Sequence, residues 1–186
     1  MAIPKEFDQI ISGPKVRDVF NSELSFAFHA EIKSPSQFMS NIWNTYNQRN
    51  NVINGKVFEA ALALVLVRCG LEPLFTQAKL AFIPNVEFDF VLYSDDCGPI
   101  VLSAKTSLRE RYKQSDLEGM MLRQVHRKSQ SYLLTMDQKE APRVVAKLED
   151  GTILGIDEVV LTNSEKFDDL IQNLRRHNFI IPDKVT

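Results

Sequence analysis

The chain has 186 residues, of which 44% are hydrophobic and 25% are charged, and it contains only 7 glycines and 8 prolines. This length and balance suit one compact globular domain and exclude a disordered or collagen-like protein. The formal net charge of -2 is not that of a basic nucleic-acid protein, so any such function must depend on a local concentration of basic residues.

Nothing in the sequence predicts a membrane or export segment. The longest apolar run, residues 60–67, is far shorter than the roughly 20 residues of a membrane span. Acids and a proline stand near the first residue, where an export signal needs an apolar stretch. Cys69 and Cys97 match no zinc or disulfide spacing, so we expect a cytoplasmic protein with two reduced, non-ligating cysteines.

The first 50 residues predict helices. Ser34 and Pro35 are typical of a helix start, and Phe38, Ile42 and Tyr46 then recur every four residues. No repeat, low-complexity tract or linker follows. We therefore expect one domain over residues 1–186, with the helical residues 1–50 packed on its core.

The middle of the chain predicts a regular order of elements. A helix comes first, with Asn54 as its N-cap, Glu59 near its first turn and Gly70 after its end. Short connections then favour an antiparallel meander of three strands, which a second helix and a fourth strand follow. The predicted ranges of these six elements are 54–69, 74–83, 86–93, 99–105, 117–128 and 131–136.

The last part of the chain predicts two more strands, over residues 143–148 and 152–161, and a helix that Ser164 caps and that reaches His177. Strands and helices in this order are typical of an α/β protein. The predicted fold is a central mixed sheet flanked by helices.

Side-chain alternation brings charged residues to one face of the second and third strands. Glu87 and Asp89 share a face of the second strand, and Ser103 and Lys105 share a face of the third. Lys105 can then meet Asp89 across the strands. A carboxylate that binds Mg²⁺ and an ammonium group that orients or deprotonates water suit phosphodiester hydrolysis. By itself, such a pair is more often a surface ion pair.

The helix with Glu59, the strand with Asp89 and the segment Ser103-Ala104-Lys105 together resemble the PD-(D/E)xK nuclease superfamily, which includes many restriction endonucleases. The resemblance covers about residues 51–136. The stretch KTSLRERYKQ, which begins at Lys105, also looks like a segment of some type II restriction enzymes. The resemblance implies a restriction-endonuclease-like core in a prokaryotic, intracellular, Mg²⁺-dependent DNA endonuclease.

The resemblance also implies a role for each matching residue. Asp89 would be the principal metal ligand, and Lys105 the water-orienting base or electrostatic partner. Glu59 would be a helix-borne carboxylate that supports the metal or the water. The backbone carbonyl of Ala104 would be a further metal ligand.

Two departures from the superfamily pattern change this set of residues. Residues 85–88 (NVEF) replace the nominal proline context, and Ser103 stands where a second acid is usual. Because serine brings no negative charge, another acid is needed to hold a divalent ion. Glu59 is the first choice, and Glu118, thirteen residues after Lys105, is the second.

Basic residues are concentrated just after Lys105. Seven bases and three acids stand between residues 105 and 128, a balance of +4 that leaves -6 for the rest of the chain. Arg109, Arg111 and Lys113 are placed to contact phosphates of double-stranded DNA, which adds affinity rather than sequence choice. A solvated helix face is the alternative. His126 has no partner at metal-ligand spacing, which favours a structural or phosphate-facing role.

The sequence contains no helix-turn-helix, zinc finger or other DNA-reading motif. This favours the small cleavage subunit of a heterodimeric, type IIS or nicking-type restriction enzyme, whose larger partner would recognise the DNA. The alternatives are a self-sufficient homodimeric restriction enzyme and a repair or junction nuclease of the same fold. A non-catalytic DNA- or protein-binding relative belongs to another class, and the clustered charges of Asp89, Lys105 and Glu59 argue against it.

Overall fold

The computed structural model describes residues 3–182. Its helices are Pro14–Ser22 (α1), Pro35–Thr45 (α2), Asn51–Arg68 (α3), Tyr112–Val125 (α4), Ala141–Glu149 (α5) and Glu165–Leu174 (α6). Its strands are Leu74–Ala78 (β1), Phe88–Ser94 (β2), Gly98–Lys105 (β3), Gln130–Thr135 (β4) and Glu158–Leu161 (β5). Two short 3-10 helices are Lys5–Phe7 and Ser25–Phe28.

The five strands form one sheet in the order β1-β2-β3-β4-β5. The first three are antiparallel, whereas β3, β4 and β5 are parallel and are connected by α4 and α5. Parallel neighbours need such crossovers because consecutive strands run in the same direction. The predicted meander, the crossover and the α/β fold with a central mixed sheet flanked by helices are therefore confirmed.

The long helix α3 is the centre of the hydrophobic core. Every residue from 57 to 66 except Glu59 is apolar and buried. The helix begins earlier than predicted because the side chain of Asn50, not Asn54, caps it by accepting from the N–H of Ile53 at 3.1 Å. Glu59 consequently lies in the third turn and not near the first. None of the helices within residues 3–182 is long and apolar enough to cross a membrane.

The residue predicted as the cap, Asn54, has a different structural task. It is buried, and its Oδ1 accepts hydrogen bonds from the hydroxyl of Tyr46 at 2.8 Å and from the N–H of Arg49 at 2.7 Å. Asn54 therefore fixes the connection between α2 and α3 from inside α3.

The helices of the N-terminal part pack on the core. α1 and α2 contact α3, and α2 also contacts α6. Ser34 caps α2 as predicted, since its hydroxyl accepts from the N–H of Gln37 at 3.2 Å. Asp168 of α6 accepts from the N–H and the hydroxyl of Ser36 at 2.9 and 2.6 Å. The start of α2 is thus joined to the first turn of α6.

One prediction for the last third of the chain is wrong, and two are correct only in part. Residues 143–148 form part of α5 instead of a strand, because Val144 and Leu148, one helical turn apart, both pack in the apolar cluster around Val159. The predicted strand over residues 152–161 is confined to β5. Ser164 occupies the N-cap position of α6 as predicted, but its hydroxyl donates to the carbonyl of Leu161 at 2.8 Å instead of accepting from the helix. The helix α6 ends at residue 174, before residue 177.

Candidate active site

The register of β2 against β3 places the predicted acid and lysine side by side. Phe90 pairs with Leu102, so Asp89, one residue earlier, lies opposite Ser103. The Nζ of Lys105 donates to Oδ2 of Asp89 at 2.7 Å. The predicted contact between the two strands is therefore present.

The backbone of β3 also holds Asp89. The N–H of Ala104 donates to the same Oδ2 at 2.7 Å. Among residues 3–182, no hydrogen bond reaches Oδ1 of this carboxylate. One oxygen is thus fixed by the strand and the lysine, while the other remains available to a further ligand.

The pair lies largely out of water. The exposed fraction is 14% for the side chain of Asp89 and 7% for that of Lys105. Opposite charges attract each other more strongly in such an environment than at the surface, but each also loses its hydration. Ser103 beside them is buried as well, so the position of the usual second acid holds a neutral hydroxyl group.

Glu59 extends from the buried part of α3 toward this pair. Burial, and after it the carboxylate of Asp89, raises the pKa of Glu59 to about 7, although Lys105 and Arg111 act in the opposite direction. Gln77 of β1 donates to Oε2 of Glu59 at 3.3 Å. A cavity of about 290 Å³ is lined by Glu59, Gln77 and Asp89 among other residues. Near neutral pH, Glu59 can therefore release a proton when a cation binds.

The second-choice acid, Glu118, approaches from α4. Burial raises its pKa, whereas the hydrogen bond from Gln114, at 2.7 Å, and the charge of Lys105 lower it. Asp89 again raises it. The charges of Asp89 and Lys105 thus shift the pKa of both glutamates. Glu59 of α3 and Glu118 of α4 therefore both lie near the same ion pair.

These acids do not form a closed cage of ligands. Among the described residues, one group of three potential metal ligands has its ligand atoms within 4.8 Å of one another. That group is Asp96, Cys97 and His177, which lie elsewhere in the fold. Mg²⁺ fits an open set like that around Asp89, because it usually binds one or two carboxylates and keeps several waters. Zn²⁺ fits it less well, because it prefers nitrogen and sulfur donors.

The predicted DNA contacts lie at the start of α4. Arg109, Arg111 and Lys113 are all exposed. Lys113 is paired with Glu110, whereas Arg111 is close enough to lower the pKa of Glu59. Basic side chains therefore border the Asp89 pair on the side where β3 ends.

Asp137, which the sequence interpretation missed, positions this segment. Its Oδ2 accepts from the N–H of Leu108 at 2.9 Å, and its Oδ1 accepts from the N–H of Glu140 at 3.1 Å. Asp137 thus ties the loop after β3 to the loop after β4. The spacing of Asp137 and Glu140, which is typical of a helix start, was the available signal. Gln77 had no comparable signal.

Two polar residues near these strands lie outside the site. Glu87 is exposed, and its carboxylate lies 3.9 Å from the Nζ of Lys79. His126 follows the last residue of α4, and its ring meets that of Tyr93 edge-on with 6.3 Å between centroids. Burial lowers the pKa of His126. The environment of His126 is that of a packing residue.

The mixed five-stranded sheet flanked by helices matches the fold of solved restriction endonucleases. The structure is similar to that of restriction endonuclease PspGI in complex with substrate DNA, with a TM-score of 0.59 and 16% identity over 98% of this chain and 84% of that chain. It is also similar to metal-depleted Ecl18kI in complex with uncleaved, modified DNA, with a TM-score of 0.50 and 18% identity over 83% of this chain and 62% of that chain. No protein-family model matches the chain, and no curated protein is significantly similar to it in sequence.

Proposed function

We propose that this chain is a Mg²⁺-dependent endonuclease that hydrolyses phosphodiester bonds of double-stranded DNA, of the restriction type and with a PD-(D/E)xK-like site. The observation that carries this proposal is the buried pair of Asp89 and Lys105, 2.7 Å apart on neighbouring strands. Buried ion pairs are weak contributors to stability. A pair that is flanked by two further partly buried acids is therefore better explained by catalysis than by folding.

The residues of the pair would have distinct roles. Asp89 would bind Mg²⁺ with the oxygen that has no hydrogen bond, and the backbone carbonyl of Ala104 would be a further ligand. The bound ion would neutralise negative charge that develops on the phosphoryl oxygens. Lys105, held in place by Asp89, would orient the attacking water or accept its proton. Ser103 would contribute a hydroxyl group to bind water.

A second carboxylate is needed because Ser103 carries no charge. We infer that it is Glu59, whose pKa of about 7 permits proton release on cation binding at neutral pH. Glu118 of α4 is the second candidate, since burial raises its pKa as well. Both acids approach the pair from helices that pack on the sheet.

The proposed substrate is supported by the charges beyond Lys105. Arg109, Arg111 and Lys113 are exposed and lie next to the buried pair along the chain. Their side chains would bind phosphates and so hold the scissile bond near Asp89. Contacts of this kind position DNA without selecting a sequence.

A partner is supported by the outer surface of α4. Three apolar residues recur every four positions on this helix and are partly exposed. Their exposed fractions are 60% for Leu117, 38% for Met121 and 39% for Val125. Apolar side chains at this spacing form a stripe along one helix face, which other proteins commonly cover. We propose a larger subunit that recognises the DNA as the occupant, with a second copy of this chain as the alternative.

Plasmid cleavage tests the proposed activity. The chain is incubated with supercoiled plasmid and Mg²⁺, alone and with extract of its source, and nicked and linear products are measured. Asp89→Ala should abolish them, and Asp89→Asn should do the same while keeping the shape of the side chain. Glu87→Ala, which removes an exposed acid two residues away, should cut normally.

Cutting by Asp89→Asn at the rate of the unchanged chain would overturn the catalytic proposal. Mg²⁺-independent DNA binding without any cutting, with or without extract, would favour the non-catalytic relative. Activity that appears only with extract would support the larger subunit over the self-sufficient homodimer.

A further inference from the structure

The turn between β2 and β3 is joined to the segment that follows α6. The N–H of Ile180 donates to the carbonyl of Tyr93 at 2.8 Å, and the N–H of Asp95 donates to the carbonyl of Asn178 at 3.2 Å. The side-chain amide of Asn178 also donates to Asp95 at 2.8 Å. These bonds hold residue 177 against the turn, although about eighty residues separate the two segments in sequence.

Three different metal-binding side chains meet at this junction. The ligand atoms of Asp96, Cys97 and His177 all lie within 4.8 Å of one another. Nδ1 of His177 is 3.1 Å from Oδ1 of Asp96, and its side chain is only 19% exposed. The carboxylate is open to solvent, with 63% of the Asp96 side chain exposed.

We propose that Asp96, Cys97 and His177 bind a Zn²⁺ ion that fastens the segment after α6 to the β2–β3 turn. One thiolate, one imidazole nitrogen and one carboxylate are the donor types that Zn²⁺ takes in proteins. Zinc–donor distances of about 2.0–2.3 Å place tetrahedral ligand atoms roughly 3.3–3.8 Å apart. The three ligand atoms, now within 4.8 Å of one another, would reach this spacing by rotation of their side chains. Water completes the coordination on the exposed side.

The donor types also distinguish this ion from Mg²⁺. Sulfur and nitrogen ligands select zinc-like ions, whereas Mg²⁺ prefers oxygen ligands only. Binding deprotonates the thiol of Cys97, whose proton passes to solvent. Ser94, which is buried beside Asp96, donates its hydroxyl to Oδ1 of Asp96 and so orients this carboxylate.

This position is distinct from the proposed active site. Asp89 is the second residue of β2 and Lys105 ends β3, whereas Asp96 and Cys97 lie in the turn at the other end of the hairpin. The five residue-to-residue steps from position 89 to position 94 correspond to roughly 16 Å along an extended strand. The ion would stabilise the fold and would not touch the reacting phosphate.

Cobalt substitution tests the site directly. The full chain, without any histidine tag, is titrated with Co²⁺, and the thiolate-to-cobalt charge-transfer band and the tetrahedral d–d bands are recorded. Zn²⁺ should then displace the cobalt and abolish both bands at one equivalent. Zn²⁺ should also raise the Tm of the unchanged chain.

Cys97→Ser should remove the charge-transfer band, and His177→Gln should weaken Co²⁺ binding by more than about tenfold, since even the loss of an outer partner typically costs that much. The matched controls are Cys69→Ser, at the end of α3, and His29→Gln, on an exposed loop, and both should bind as the unchanged chain does. Circular dichroism without metal verifies that each variant is folded.

Absence of a charge-transfer band in the unchanged chain would overturn the proposal. So would a band that persists in folded Cys97→Ser, or one that disappears in Cys69→Ser instead. Because every readout is spectroscopic or thermal, these outcomes are independent of DNA cleavage.

Discussion

The ammonium group of Lys105 donates to Oδ2 of Asp89 at 2.7 Å, and the same oxygen accepts the backbone N–H of Ala104. A single carboxylate oxygen of Asp89 therefore aligns the lysine and the end of β3, and Oδ1 stays available. Loss of either charge should affect both the stability of the strand ends and the chemistry that we propose for them.

Asp89→Ala should lower the free energy of unfolding by about 3 kcal/mol, because it leaves the buried ammonium of Lys105 without its partner. Urea denaturation measures the change. The pair of Glu87 and Lys79, 3.9 Å apart and exposed, supplies the control, since Glu87→Ala should cost less than about 1 kcal/mol. Equal losses in the two variants would show that the buried pair has no special electrostatic environment.

Glu59→Gln should make the protein more stable at pH 8 and leave its stability near pH 5 almost unchanged. The pKa of Glu59 is about 7 in the folded chain, above its ordinary value of 4.5. The folded chain therefore holds the proton of Glu59 more tightly than the unfolded chain does. The stability that this difference provides is lost as pH rises from about 4.5 through about 7. Glutamine is neutral throughout and avoids this loss.

Thermal unfolding at the two pH values measures this effect. Each 1 kcal/mol corresponds to roughly 2–4 °C in a chain of this size, so a rise of a few degrees in Tm is expected at pH 8 alone. Glu87→Gln is the control and should show no such dependence. A Tm of Glu59→Gln that falls equally at both pH values would contradict the raised pKa.

Glu59→Ala should reduce Mg²⁺-dependent cutting by on the order of 100-fold, because the site has no acid at Ser103 to replace it. Glu118→Ala should have a smaller effect. Cutting by the unchanged chain at limiting Mg²⁺ should also increase between pH 6 and pH 8, as Glu59 loses its proton. Full activity of both alanine variants would refute the view that a helix-borne acid compensates for Ser103.

Gly119→Ala should destabilise the protein by about 2 kcal/mol or more, because overpacking forces the backbone apart. A Cβ atom at Gly119 in α4 would lie 2.0 Å from the carbonyl oxygen of Gly155. Gly55 in α3 is the matched control, since a Cβ atom there meets nothing within 4 Å. Gly55→Ala should gain roughly 0.5–1 kcal/mol from helix propensity, and urea denaturation distinguishes the two directions.

Much of the candidate site could be predicted because its signals are local. The alternation of side chains in β2 and β3 placed Asp89 and Lys105 on one face, and short connections predicted the antiparallel register that brings them together. The burial of Glu59 could not be predicted in the same way. Its raised pKa depends on the packing of α3 against the sheet and on the charge of Asp89.

The wrong predictions have a common physical cause, which is that tertiary packing overrides the local preference of the residues. Residues 143–148 contain adjacent β-branched valines, which locally favour a strand, but packing of Val144 and Leu148 against the cluster around Val159 makes the segment helical. Asn50 and Asn54 are both suitable caps by residue type. The buried hydroxyl of Tyr46, which bonds to Asn54, decides between them.

By itself, the sequence determined the order of most elements and the pairing of Asp89 with Lys105, because periodicity and short connections act over a few residues. The tertiary structure alone decided which helices bring acids to that pair and which residues meet across the fold. Asp96 and Cys97 show no metal-ligand spacing with His177 in the sequence. The backbone bonds between residues 93–95 and 178–180 bring them together, since sequence distance places no limit on contact once a chain is folded.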